Sequence, residues 1–87
     1  MYVIVIYDAD VKRVSKYHKL LKQYLFPVQN SAFEGIITQS NLCEMKKALT
    51  SINDKGLDSI IIYRISNIKF LKREVIGQTK EKDVFII

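Results

Sequence analysis

The first apolar run of the chain ends in a carboxylate: Tyr2-Val3-Ile4-Val5-Ile6-Tyr7-Asp8. A short β-branched and aromatic run of this kind predicts a strand buried on both faces. An aspartate at the carboxyl end of such a strand stands where a sheet presents ligands and catalytic groups at its rim. Asp8 is therefore the leading candidate for chemistry, although one carboxylate defines no reaction. From spacing alone, a helix N-cap or loop carboxylate is its more ordinary role. Asp10 is the better cap and is kept out of the candidate site. Other constellations are missing from the sequence. A single cysteine, Cys43, excludes an internal disulfide framework, and with a single histidine the chain cannot build a zinc site alone. There is no Ser-His-Asp set or paired-histidine motif, and His18 lies in a lysine-rich helix, where a general-base role is not expected.

The second chemical signal is positive charge. Fourteen Lys and Arg oppose nine Asp and Glu, which leaves +5 at pH 7. This surplus favours a polyanionic partner. Lys12, Lys16 and Lys19 share one helical face with Gln23, with Arg13 and Lys22 beside them. Lys69, Lys72 and Arg73 follow in a basic C-terminal stretch. These side chains form a phosphate track if dimerisation brings them onto one surface; otherwise they are a solvated face. No aromatic residues interleave with them as base-stacking platforms, so duplex backbone is the expected target.

The elements that must position these groups follow from the hydrophobic pattern. After Asp8, Val14, Tyr17, Leu20, Leu21, Tyr24 and Leu25 recur at three- and four-residue spacing and predict a helix. Asp8 or Asp10 is expected to cap it, and Pro27 to end it. Residues 28–38 return to an extended pattern broken at Gly35, as by a bulge or the centre of a tight hairpin, which predicts two short strands. A second helix is expected over about residues 40–53, with Thr38, Ser40 or Asn41 as its cap and Leu42, Met45, Leu49 and Ile52 as its buried stripe. Cys43 lies beside that stripe and is expected to be a small packing residue. Asp54-Lys55-Gly56 supplies a turn, and Ile60-Ile61-Ile62-Tyr63-Arg64-Ile65 a further apolar strand. The order βαββαβ is the split βαβ arrangement of an α+β, ferredoxin-like domain. Residues 1–66 form this core. Residues 67–87 form a tail ending Val84-Phe85-Ile86-Ile87, an apolar tetrad expected to add an extra C-terminal strand to the sheet edge of a partner copy. Hydrophobic residues make up 48% of this short chain, which also points to a homodimer. Met1 leads straight into the strand with no basic n-region, and no apolar stretch reaches the roughly 18 residues of a membrane span. The expectation is a soluble, reduced, cytoplasmic protein.

One central segment makes the reading specific. Val28-Gln29-Asn30-Ser31-Ala32-Phe33-Glu34-Gly35, together with Tyr7-Asp8, Asp58-Ser59-Ile60-Ile61-Ile62-Tyr63 and Arg73-Glu74-Val75-Ile76-Gly77, resembles the second numbered family of CRISPR-associated (Cas) proteins. The resemblance spans nearly the whole chain in order. The chain departs from the pattern at Ala9-Asp10-Val11-Lys12-Arg13, where many members carry a longer loop and paired arginines. The resemblance implies a ferredoxin-like homodimer whose two copies of Asp8 face each other and share one Mg²⁺, giving phosphodiester hydrolysis of RNA or DNA. Tyr7, Ser31 and Phe33 become candidate active-site neighbours, and Lys12, Arg13, Lys16, Lys19, Lys72 and Arg73 candidate nucleic-acid contacts. It also implies a role in CRISPR spacer acquisition, in which the dimer bridges subunits of the integrase (the first numbered Cas protein) and holds duplex DNA. The alternatives are a non-catalytic DNA-binding scaffold and a toxin-type ribonuclease of the virulence-associated D group, which shares the fold; the tail and the Arg73–Gly77 segment argue against the latter.

Overall fold

The computed structural model describes residues 1–77. Its elements run β1 (Tyr2–Asp8), α1 (Val14–Lys22), β2 (Phe26–Gln29), β3 (Ala32–Ile36), α2 (Gln39–Ile52) and β4 (Ser59–Ile65), followed by a short 3₁₀ turn (Ile68–Phe70). The four strands form one antiparallel sheet in the order β2-β3-β1-β4. β1 is central and pairs with β4 along its whole length, from Tyr2 opposite Ile65 to Asp8 opposite Ser59. This is the expected ferredoxin-like α+β architecture. The expected final strand, Val84 to Ile87, lies outside the described residues.

Alternation along β1 divides the molecule into two faces. Val3, Val5 and Tyr7 point toward the helices and are buried with Phe33, Tyr17, Leu21, Leu25, Leu42, Met45 and Leu49 in one core. The opposite face carries Ile4, Ile6 and Asp8, with Ile36 of β3 and Ile61 and Tyr63 of β4. Ile6, Ile36, Ile61 and Tyr63 are all exposed. On this second face β1 is graded, with Tyr2 buried, Ile4 half-buried and Ile6 and Asp8 exposed, where its unbroken apolar pattern suggests burial on both faces throughout. Among the described residues, both helices lie on the other side and leave Ile6, Ile36, Ile61 and Tyr63 of this face exposed. Near its edge, the Arg73 guanidinium bonds Glu34 at 2.7 and 2.8 Å, and Tyr2 donates its hydroxyl proton to the same carboxylate. This trio buries Tyr2 and Glu34 beneath the tail.

Local details correct several expectations. α1 ends at Lys22, before Pro27, and Pro27 lies within β2. The β2–β3 turn falls at Asn30-Ser31, not at Gly35, while the irregularity lies between Pro27 and Gln29. Gly35 sits inside β3 because a Cβ there would stand only 3.3 Å from Leu25 Cδ2. Neither Asp8 nor Asp10 caps α1: its N-cap residue is Arg13, with no side-chain cap bond. Asp10 instead accepts from the Lys12 N–H at 3.0 Å, closing a local turn before the helix. Thr38 is the cap of α2, accepting from the Asn41 N–H at 3.1 Å. Cys43 is exposed on the outer face of α2 and does not pack inside. No helix among the described residues is long and apolar enough to cross a membrane.

Candidate active site at the sheet rim

Asp8 is the last residue of β1 and points to the open face, where it is exposed. Its direct cross-strand neighbour is Ser59. Side chains directly opposite in an antiparallel pair stand about 4.5–5.5 Å apart at Cβ. On the other flank, the Tyr7 N–H donates to the Ser31 carbonyl at 3.0 Å, which brings the β2–β3 turn beside the end of β1. The rim therefore sets the Asp8 carboxylate opposite Ser59, with the backbone of Ser31 bonded to the backbone of Tyr7 beside it. Ser59 was not singled out from the sequence. Register makes it adjacent, and the Asp58-Ser59 pair preceding an apolar strand is the only signal that the sequence offered for it.

Tyr7 and Phe33 lie elsewhere. Both point to the helix face, where Tyr7 stacks on Tyr17 with ring centroids 5.2 Å apart and on Phe33 at 6.4 Å. Phe33 also meets the edge of His18 at 5.2 Å. One residue of offset along a strand reverses the side chain, so Tyr7 supports Asp8 from beneath rather than beside it. Its hydroxyl reaches the Asn30 carbonyl at 3.5 Å, and burial pushes its phenol pKa up.

The basic residues also divide. Lys12, Lys16 and Lys19 are exposed on α1 and its approach, and Lys72 is exposed in the tail. Both candidate arginines hold carboxylates of the protein. Arg13 donates to Asp58 from Nε at 2.7 Å and from Nη2 at 3.0 Å, and Arg73 is bound to Glu34. The Asp58 carboxylate, side chain fully covered, is held well below the usual carboxylate range, first by the Arg13 guanidinium and then by backbone N–H groups of Asp10 and Asp54. Among the described residues, no group of three or more His, Cys, Asp or Glu side chains could enclose a metal ion.

A ferredoxin-like antiparallel sheet with both helices on one face and a carboxylate exposed at the end of its central strand defines the class: a small α+β domain with an open candidate site at the sheet rim. The family follows from comparison. The model of the CRISPR associated protein Cas2 family matches residues 1–73, and the chain belongs to that family. It is 44% identical over 80 residues to the CRISPR-associated endoribonuclease Cas2 2 of Archaeoglobus fulgidus, covering 92% of this chain and 87% of the relative. It is 41% identical to the CRISPR-associated endoribonuclease Cas2 of Thermococcus kodakarensis, covering 92% of both chains. Among solved structures, a Cas2 crystal structure superposes with a TM-score of 0.81 at 44% identity, covering 100% of this chain and 98% of the other. Streptococcus pyogenes Cas2 at pH 6.5 gives 0.75 at 34% identity, covering 88% of this chain and 100% of the other.

Proposed function

We propose that this chain is a metal-dependent endonuclease subunit of CRISPR spacer acquisition, acting as a homodimer in which two copies of Asp8 share one Mg²⁺. The observation that carries the reading is the position of Asp8, exposed at the rim of an uncovered apolar sheet face. A second copy covering that face would bring two such rims together. The names of the relatives, CRISPR-associated endoribonucleases, support the nuclease half of the reading. The donor set suits Mg²⁺, which takes oxygen ligands and is held by one or two carboxylates while keeping several waters. Two copies of Asp8 would hold it. The ion supplies Lewis-acid charge and a more acidic water. Asp8 binds and orients, and Ser59, directly opposite it on β4, would offer a hydroxyl to a phosphodiester at the same rim. Lys12, Lys16, Lys19 and Lys72 supply backbone contacts independent of sequence.

The deciding experiment is hydrolysis of labelled RNA and duplex DNA in Mg²⁺ or EDTA, comparing wild type with Asp8→Ala. Cleavage lost on chelation and reduced at least about 100-fold by the substitution, with unfolding temperature unchanged, is the expected result. Cleavage that survives Asp8→Ala would sink the proposal. A second reading, favoured by the exposed lysines of α1, is a scaffold that bridges the integrase and holds duplex DNA in the cytoplasm without cutting it. Salt-sensitive duplex binding with no hydrolysis of either substrate would select it.

A further inference from the structure

Asp58 gathers bonds from three segments of the chain. Its carboxylate accepts from the Asp10 N–H at 3.0 Å, from the Arg13 Nε and Nη2 protons at 2.7 and 3.0 Å, from the Tyr17 hydroxyl at 2.9 Å and from the Asp54 N–H at 3.1 Å. Tyr17 in turn accepts from Asn53 Nδ2 at 3.2 Å, so the end of α2 is tied into the same set. Two of the donors, Asp10 and Arg13, belong to the connection that leaves Asp8. Other bonds of that connection are local: Lys12 N–H to the Asp10 carboxylate at 3.0 Å and Arg13 N–H to the Asp10 carbonyl at 2.8 Å. Asp58 itself immediately precedes Ser59, the residue paired with Asp8. A single carboxylate thus fastens the chain on both sides of the rim.

We propose that Asp58 is a positioning residue for Asp8, its clamp on Asp10, Arg13 and Tyr17 fixing where the Asp8 carboxylate is presented. The inference rests on the reading of Asp8 as the catalytic carboxylate. Two rims must converge on one small ion with near-octahedral demands, and a misplacement of about 1 Å can lower a rate about 100-fold. The clamp requires an acceptor at every contact. An ionised carboxylate offers only acceptors, whereas a carboxamide of the same shape turns N–H groups toward donors. Asp58→Asn therefore loosens the connection without changing its volume.

The test is single-turnover cleavage of labelled RNA across a Mg²⁺ titration, well below the unfolding temperature. In Asp58→Asn the rate constant is expected to fall about tenfold or more, and the half-saturating Mg²⁺ concentration to rise, while RNA affinity stays within about twofold. Tyr17→Phe removes one donor and is expected to move both quantities in the same direction by less, which keeps the test open should Asp58→Asn fail to fold. Leu42→Ala, a destabilised core variant in the first turn of α2 at the opposite end of the sheet from Asp8, is the control and leaves the Mg²⁺ midpoint unchanged. Wild-type rate and midpoint in both Asp58→Asn and Tyr17→Phe overturn the proposal. Should the wild type itself cleave nothing, the reading of Asp8 fails separately and carboxyl NMR decides the positioning. A displaced Asp8 resonance with faster exchange at the Asp10 amide in Asp58→Asn upholds it, and an unmoved resonance overturns it.

Discussion

Asp8 and Asp58 end up on opposite faces of the same rim, and their surroundings give them opposite work. Asp8 is exposed and open to a ligand from outside; Asp58 has its side chain fully covered and is saturated by donors from within. The sign of the resulting pH dependence follows from the depressed acidity of Asp58. Its folded-state pKa lies below the ordinary 3.8, so the unfolded chain binds the proton more readily. The stability that Asp58 contributes is whole above the unfolded value and is lost as pH falls below it. Wild-type unfolding temperature is accordingly expected to drop more steeply between about pH 5 and pH 2 than that of Asp58→Asn, measured by circular dichroism. Glu34 offers a different case: a buried carboxylate bound by the Tyr2 hydroxyl and the Arg73 guanidinium. Arg73→Ala leaves a buried acceptor under-satisfied, which costs about 1–3 kcal/mol. The expected thermal shift is about 4–8 °C per kcal/mol for a domain of this size. Asp8 was legible in the sequence because a strand end marks itself. Apart from the Asp54 N–H four residues away, the partners of Asp58 were not, since they depend on bonds 41 to 48 residues apart, which no local pattern encodes. The same contacts explain why Arg13, read from sequence as a phosphate contact, has its guanidinium turned to Asp58.

Among the described residues, periodicity found both α-helices and the strands of the sheet, because each buries one stripe or face. It misjudged their ends, which are set by particular contacts. α1 begins without a side-chain cap because its N-cap residue is Arg13, whose long side chain reaches Asp58 instead of folding back on the helix. α2 begins with an ordinary one, Thr38 to the Asn41 N–H. Thr38→Ala is expected to cost about 1 kcal/mol, visible in thermal melts, with rim chemistry untouched. Gly35 looks like a turn in sequence because glycine weakens strands, yet it serves a close approach between β3 and Leu25, the residue that leads into β2. A side chain larger than a methyl group there meets Leu25 from both its Cδ2 and its Cα, the latter 3.8 Å from the ideal Cβ. Gly35→Val is therefore expected to destabilise by about 1–3 kcal/mol through overpacking. Denaturant midpoints with an unchanged m-value would distinguish this from a change in the unfolded chain.

At the scale of the molecule, the helices cover one face of the sheet and leave Ile6, Ile36, Ile61 and Tyr63 in water on the other. A contiguous apolar strip on so small a protein calls for a cover, and the same face bears Asp8. The proposed dimer joins these two facts: the surface that needs burial is also the surface whose carboxylate needs a second carboxylate. Charge placed in the strip but away from the rim separates assembly from chemistry. Ile61→Asp would bury a charge at the contact, where an uncompensated ion costs about 3–5 kcal/mol, at least about a hundredfold in Kd. Light scattering is expected to report a monomer at concentrations where wild type is a dimer, with circular dichroism still native because Ile61 faces away from the protomer's own core. Cleavage is expected to return as protein concentration rises and dimer re-forms. A monomeric Ile61→Asp variant cleaving at the wild-type rate would detach the reaction from the two-fold and leave Asp8 acting alone.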